Sequence, residues 1–261
     1  MDRDALILCD LDGVVWLAHH PIPGSAAGIA RLRAAGGTVL FVTNNSGDTI
    51  ARQEQALGTV GIPAAGAVLT SSMAAAELLQ PGERALVVGG PGIFEALESR
   101  GVHALDAHAH EAADGFDAVV VGIDRRFDYE TLRRASAAIG RGARLIGTND
   151  DATYPTAAGP IPGGGSILAA VVTASGVQPV IAGKPHAAMA ALVRARHGPA
   201  VDRAWVVGDR QSTDGAFAAT LGCRFALVMS GVTTDATALQ PPPDLVAADL
   251  DAVATTLLAH G

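Results

Sequence analysis

A chain of 261 residues, 49% apolar and 17% charged, has the length for one large or two modest domains and too much apolar content to stay disordered. A formal net charge of −8 argues against affinity built on neutralising nucleic-acid phosphates, so no nucleic acid scaffold is expected as a partner. The apolar stretch at 5–9 is too short for a signal-peptide core, and no run approaches the roughly 20 apolar residues of a membrane helix. Two distant cysteines, Cys9 and Cys223, make no disulfide framework. The expected address is therefore a reducing cytoplasm, with no membrane partner.

In chain order, short runs rich in Val, Ile and Leu fall at 5–9, 39–42, 85–88, 118–121, 204–207 and 225–229. Apolar runs without polar alternation read as strands buried on both faces. Stretches with helical spacing lie at 26–35, 93–100, 129–139, 167–173, 187–196 and 216–221. Alternation of the two predicts an α/β fold with a doubly wound parallel sheet. Three prolines at 241–243 read as a rigid turn before a last short strand at 245–247.

Polar clusters close several strands: Asp10 after the first, Thr43-Asn44-Asn45-Ser46 after the second, Gly183-Lys184-Pro185 after a short run at 179–182, and Gly208-Asp209-Arg210 after the run at 204–207. Open α/β sheets bind ligands beyond the carboxyl ends of their strands, so the four clusters are expected to converge on one pocket. For Lys184 and Asp209 to meet Asp10, the middle of the chain must leave the first sheet and return. The expected organisation is a core built from 1–78 and 181–261, with an inserted second domain at 79–180.

Asp10 and Asp12 stand two apart, which on a strand would point both carboxylates to one side, and two close carboxylates imply a shared proton or a divalent metal. Asp209 supplies a third carboxylate, as a hard oxygen-ligated cation such as Mg²⁺ needs, and Asp214 is placed to steady it from behind. Of 18 basic residues 17 are arginine, and the one lysine is Lys184. A compact ammonium is wanted there, and with the Thr43 hydroxyl and the donors around Asn44 it suits the oxygens of a phosphoryl group.

The set resembles the haloacid dehalogenase-like superfamily, specifically its phosphatase branch with a large α/β cap, the NagD-like and nitrophenylphosphatase-like proteins. The four family motifs are matched by Asp10-Leu11-Asp12-Gly13-Val14-Val15-Trp16, Thr43-Asn44-Asn45-Ser46, Gly183-Lys184-Pro185, and Gly208-Asp209-Arg210 with Thr213-Asp214. Val121-Gly122-Ile123-Asp124 with Tyr129-Glu130, and Gly147-Thr148-Asn149-Asp150-Asp151 with Pro155, resemble that branch's cap signatures. Ser212 and Gly215 depart from the pattern at the rim of the metal site, where an acidic and an aliphatic residue are common. The resemblance implies a Rossmann-like core with an inserted α/β cap and Mg²⁺-dependent hydrolysis of a small-molecule phosphate ester. Asp10 would be the nucleophile and Asp12 the proton donor. Mg²⁺ would be held by Asp10, the Asp12 carbonyl and Asp209, and the phosphate by Thr43, Asn44 and Lys184. Self-association through the cap is implied as well.

Other readings are weighed on the same residues. Clustered Asp, Thr and Lys also suit a receiver-like phospho-aspartate module, although that needs no insertion of this size. A phosphotransferase would pass the group to a second hydroxyl. Gly163-Gly164-Gly165-Ser166 opens a helix rather than a phosphate loop, since no Lys-Ser/Thr follows. Gly183-Lys184 is not a nucleotide P-loop, because Gln178 stands where its first glycine belongs. His108-Ala109-His110 reads as a polar connector rather than a transition-metal clip, and Cys9 as a small core residue. Trp16 either lines the substrate entrance or packs beneath the cap, while Asn149 and Asp151 are candidates for reading the leaving group.

Overall fold

The computed structural model describes residues 5–17, 20–109, 115–156, 158–237 and 239–259. Two all-parallel sheets with helices on their faces bear out the doubly wound α/β expectation. The first has six strands in the order Leu245–Ala247, Arg224–Val228, Trp205–Gly208, Leu6–Cys9, Thr38–Thr43, Val68–Thr70. Successive strands run outward from Leu6–Cys9 first to one side and then, after the return from the second sheet, to the other. The strand carrying Asp10 at its end therefore sits where the winding reverses, the usual position of a ligand crevice.

Period-2 geometry explains why these strands read as continuous apolar runs. Leu6, Leu8, Leu40 and Val42 face one apolar layer, while Ile7, Cys9, Val39 and Phe41 face another, and all are buried. Helices Ser25–Ala34 and Leu250–Ala259 cover the second of these layers. The first layer is shared with the other sheet, since Leu79, Ala85, Val87, Ile93, Val120 and Ile146 belong to it too. Helix Ser71–Ala76, started by the Thr70 hydroxyl accepting the Met73 N–H at 3.2 Å, lies in that shared layer.

The second sheet has five strands in the order Val180–Ile181, Arg144–Gly147, Ala118–Val121, Arg84–Val88, His103–Asp106. Helices Tyr129–Gly140 and Gly164–Ser175 cover its far face. Here one expectation is corrected. The run at 179–182 was grouped with the core strand ends, but Val180 and Ile181 pair with Ile146 and Gly147 of the second sheet. The chain thus crosses back just after Ile181, and the cluster at 183–185 follows an edge strand of the second sheet.

Several elements are less apolar than the sequence rule requires. His103–Asp106 is an edge strand with mostly half-buried residues, and Val68–Thr70 is only three residues long. Helix Ile50–Thr59 is largely polar, buries Gln53 and Leu57, and is capped by Thr49 accepting the Arg52 N–H at 3.4 Å. Helix Gly164–Ser175 starts on the glycines at 164 and 165, because their main chain packs against residues 150–151 and 122–123 with no room for a Cβ. Among the described residues no helix is long and apolar enough to cross a membrane.

Candidate active site

The carboxyl ends of both sheets open onto one cavity of about 320 Å³, lined by Asp10, Asp12, Thr43, Asn44, Lys184, Asp209 and Asp214 from the core side and by Asn149, Asp151 and Tyr154 from the other. The four polar clusters do converge. Lys184 Nζ donates to Asp10 Oδ1 at 2.8 Å and to Asp214 Oδ1 at 2.7 Å. The lysine and Asp214 side chains are 3% and 1% exposed, so water cannot replace either partner. Burial alone would pull the lysine's pKa down, but the two carboxylates outweigh it and hold the ammonium above the ordinary lysine range.

Asp10 and Asp12 come together for a different reason from the one the spacing suggests. The strand ends at Cys9, and Asp12 lies in a tight turn where it bridges to Trp16, with the Gly13 N–H donating to the Trp16 carbonyl at 2.7 Å. Gly13 holds a left-handed φ of +84°, and a Cβ there would collide with the Asp209 carboxylate. A turn rather than strand alternation therefore brings both residues to the wall of the one cavity. Burial, together with Asp10 and Asp209, pushes the Asp12 carboxyl up to about 7.

Asp209 follows Trp205–Gly208 and accepts the Val232 N–H at 2.6 Å. Burial and the nearby Asp10 raise its pKa. Asp214 sits in a single π-helical turn, Gln211–Gly215, whose wider winding swings its carboxylate back under Gly208. Its Oδ2 accepts the Arg210 N–H at 3.3 Å, and burial pushes its carboxyl up against the pull of Lys184. One oxygen from each of Asp10, Asp209 and Asp214 falls within 4.8 Å of the others. Ser212 is exposed and does not line the cavity, so that departure from the family pattern lies outside the cluster.

Thr43 is 3% exposed, and its hydroxyl accepts the Asn45 N–H at 3.1 Å, leaving its own proton to donate. Asn44 leaves only its main chain for the expected role of donating to an anion, because its side chain is taken up elsewhere. Its Oδ1 accepts the Lys184 N–H at 2.8 Å, and its Nδ2 donates to Lys184 O at 3.0 Å and Asp151 Oδ2 at 2.9 Å. The amide pins the lysine's main chain, so only the Asn44 backbone is left to meet an anion.

Asn149 is likewise a brace. Its Nδ2 donates to Asn44 O at 2.8 Å and its Oδ1 accepts the Asp151 N–H at 3.2 Å. Asp151 lines the cavity, and burial raises its pKa. Trp16 is 3% exposed and packs in the core layer beneath Asp12, where it lines a smaller cavity that shares Asp12, Thr43, Asn45 and Tyr154 with the first. Tyr154 and Arg210 occupy the wall of the first cavity. Arg210 stood inside a quoted motif, whereas Tyr154 lies on a two-residue strand with no sequence signal. His108 pairs with Asp124 at 2.6 Å, while His110 falls outside the described residues. Cys9 is fully buried on its strand.

Parallel strand ends gathering carboxylates around one buried ammonium define a class, the α/β proteins built to handle an anionic group. The family follows from comparison with known proteins. A haloacid dehalogenase-like hydrolase model matches residues 7–103, and a HAD-hydrolase-like model matches 181–253. The chain is 35% identical over 230 residues to the Bacillus subtilis 5'-nucleotidase YutF, covering 87% of each. A glycerol phosphate phosphatase from Mycobacterium tuberculosis, solved in complex with magnesium, superposes with a TM-score of 0.86 at 33% identity, covering 96% of this chain and 76% of that one. The p-nitrophenyl phosphatase from Archaeoglobus fulgidus superposes with a TM-score of 0.87 at 28% identity, covering 98% and 100%. The chain belongs to the haloacid dehalogenase-like hydrolases, in their NagD-like, nitrophenylphosphatase-like branch.

Proposed function

We propose that the protein is a Mg²⁺-dependent phosphatase, hydrolysing small-molecule phosphomonoesters of the sugar, glycerol or nucleotide monophosphate type through an aspartyl-phosphate on Asp10. The observation that carries this reading is the buried Lys184 ammonium held between Asp10 and Asp214, beside the Thr43 hydroxyl. A cationic and a neutral donor next to a carboxylate suit a phosphoryl group that is both bound and attacked.

The donor set fits the metal. Asp10, Asp209 and Asp214 offer only hard oxygens, and burial, with the Asp10 charge added to it, raises the pKa of the latter two, a cost that a bound cation would relieve. Asp10, Asp209 and the Asp12 carbonyl would hold Mg²⁺, with Asp214 behind them because Lys184 and the Arg210 N–H occupy its two oxygens. When bound, the cation neutralises charge between the carboxylate and the phosphate oxygens.

Asp10 attacks phosphorus as the bond to the ester oxygen breaks, and Asp12 gives its proton to the departing alkoxide. Asp12 then takes a proton from water as the water oxygen attacks phosphorus and the bond to Asp10 breaks, releasing phosphate. A carboxyl pushed up to about 7 serves both steps near neutral pH. Thr43, Lys184 and the Asn44 main chain hold the transferring group. Residues 79–180 serve as a cap over a core of 1–78 and 181–261, and Asp151 faces the leaving group. The cytoplasm is the fitting compartment, and self-association through the cap would cover its exposed Tyr129 and Val180.

Replacing the nucleophile is the direct test. Asp10→Asn should lower release of free phosphate from an aryl phosphate by on the order of 10⁴-fold. Wild-type turnover in that variant would sink the assignment.

A further inference from the structure

A second chamber of about 960 Å³ adjoins the phosphate cavity, sharing Asn45, Ile123, Tyr154 and Pro155 as a common wall. Three guanidinium side chains line it, those of Arg52, Arg125 and Arg126, in a protein whose net charge is −8. Two of them are engaged. Arg52 lies 3.4 Å from Asp48, and Arg126 lies 3.1 Å from Asp106 and 3.9 Å from Asp124. Arg125 has no carboxylate within 4.0 Å among the described residues, although its charge acts on the Tyr154 hydroxyl in the shared wall.

The loop that carries Arg125 is fixed by buried chemistry. Asp124, with its side chain 3% exposed, accepts the Arg126 N–H at 2.9 Å on one oxygen and meets His108 Nε2 at 2.6 Å on the other. This is an Asx turn with Arg125 at its apex, so the guanidinium is presented from a braced loop. A cation with no carboxylate partner among the described residues, set beside the wall of a reaction cavity, is a ready receptor for an anion.

Building on the phosphatase reading, we propose that the second chamber receives the leaving group, and that Arg125 binds a second anionic group on it. The substrates favoured are phosphomonoesters that carry a carboxylate or another phosphate at the far end from the scissile bond. Such substrates hydrolyse by the same steps, and Arg125 acts on recognition alone.

The test uses alkyl phosphates, ω-carboxyalkyl phosphates and alkanediol bisphosphates of matched chain length with the full-length Mg²⁺-loaded protein. The two charged series should exceed the plain alkyl series in kcat/KM by about tenfold at one best length, the effect of a charge-assisted contact. The two arms separate a preference for carboxylate from one for phosphate. Arg125→Gln should erase that advantage while leaving plain alkyl phosphates unchanged, and Arg125→Lys should keep part of it. Added salt should shrink it. No advantage at any length, or an equal loss on all three series in Arg125→Gln, overturns the proposal while the phosphatase reading stands. Failure of the wild-type protein to release phosphate from any of the three series or from an aryl phosphate overturns both.

Discussion

Two sheet edges face one cavity, and they are built on different physics. The core edge holds its residues by charge: a buried ammonium between two carboxylates, with Asp12 and Asp209 crowded alongside. The edge of the second sheet holds its residues by neutral hydrogen bonds, Asn149 to the Asn44 carbonyl and Thr148 Oγ1 to Ser46 Oγ at 2.9 Å. Charge in a buried site fixes both stability and reactivity, whereas amide contacts fix position. Damage to the first edge should therefore remove folding free energy and turnover together, and damage to the second should alter substrate binding while sparing the reaction.

Lys184→Met is the strongest way to break that contrast. It leaves Asp214 buried beside Asp10 with no cation, and breaking such a pair from one side costs about 3–5 kcal/mol. Chemical denaturation should show that loss, with turnover falling to background. Adding Asp214→Asn to Lys184→Met should return part of the stability and none of the turnover. If turnover survived the single change, the core edge would not be the reactive one. Lys184→Arg is not a mild alternative, because the planar guanidinium cannot reproduce a point charge held at 2.7 and 2.8 Å.

Metal removal tests the same edge without mutation. Dialysis against EDTA should lower phosphate release by about 10³-fold, the effect of losing several kcal/mol of charge neutralisation, and Mg²⁺ should restore it. Full activity without divalent cations would show that Lys184 suffices and that the carboxylate cluster has another purpose.

The core edge was legible in the sequence because its chemistry is carried by residue type. Three carboxylates, one lysine in a chain of arginines and a threonine, all at or just beyond the ends of apolar runs, can be read from the sequence alone. Where the reading failed, the deciding contact was to main chain. Nothing in the letters of Asn44 or Asn149 shows that the first amide would bind the Lys184 main chain and the Asp151 carboxylate, or that the second would bind the Asn44 carbonyl and the Asp151 N–H. Trp16 was equally opaque, since a tryptophan beside a catalytic turn reads the same whether it faces in or out. The sheet to which the short strand Val180–Ile181 belongs was not legible, because a parallel edge strand two residues long carries no partner preference. The π turn that places Asp214 has no composition signal either.

The second edge is probed by Asn149→Ala, which deletes the bond to Asn44 O and frees the Asp151 N–H from its local acceptor. The cost to stability should be about 1–3 kcal/mol, the range for unpairing buried hydrogen-bonding groups. KM for a phosphomonoester should rise with kcat nearly constant. A collapse of kcat with unchanged KM would instead place Asn149 with the reacting groups and erase the distinction between the edges.

The smallest effect is in pH. A carboxyl raised in the folded protein keeps its proton where the unfolded chain has lost it, so its contribution to stability is lost as pH rises from its unfolded value of 3.8 toward about 7. Through Asp12 the metal-free protein should lose stability across that interval, and Asp209, raised by burial and by Asp10, adds in the same direction. Exposed Asp128, Glu130 and Asp235 shift downward through hydrogen bonds from Thr131, Arg133 and Thr237, and contribute in the opposite sense at lower pH. The core edge is therefore isolated by difference. Without metal, Asp12→Asn should melt closer to, or above, the wild type as pH rises, because the amide carries no proton to lose. Saturating Mg²⁺ should flatten the wild-type dependence by supplying the missing positive charge and leave the exposed groups untouched. Identical pH profiles for wild type and Asp12→Asn would mean that Asp12 is solvated and takes no share of the crowding that defines the core edge.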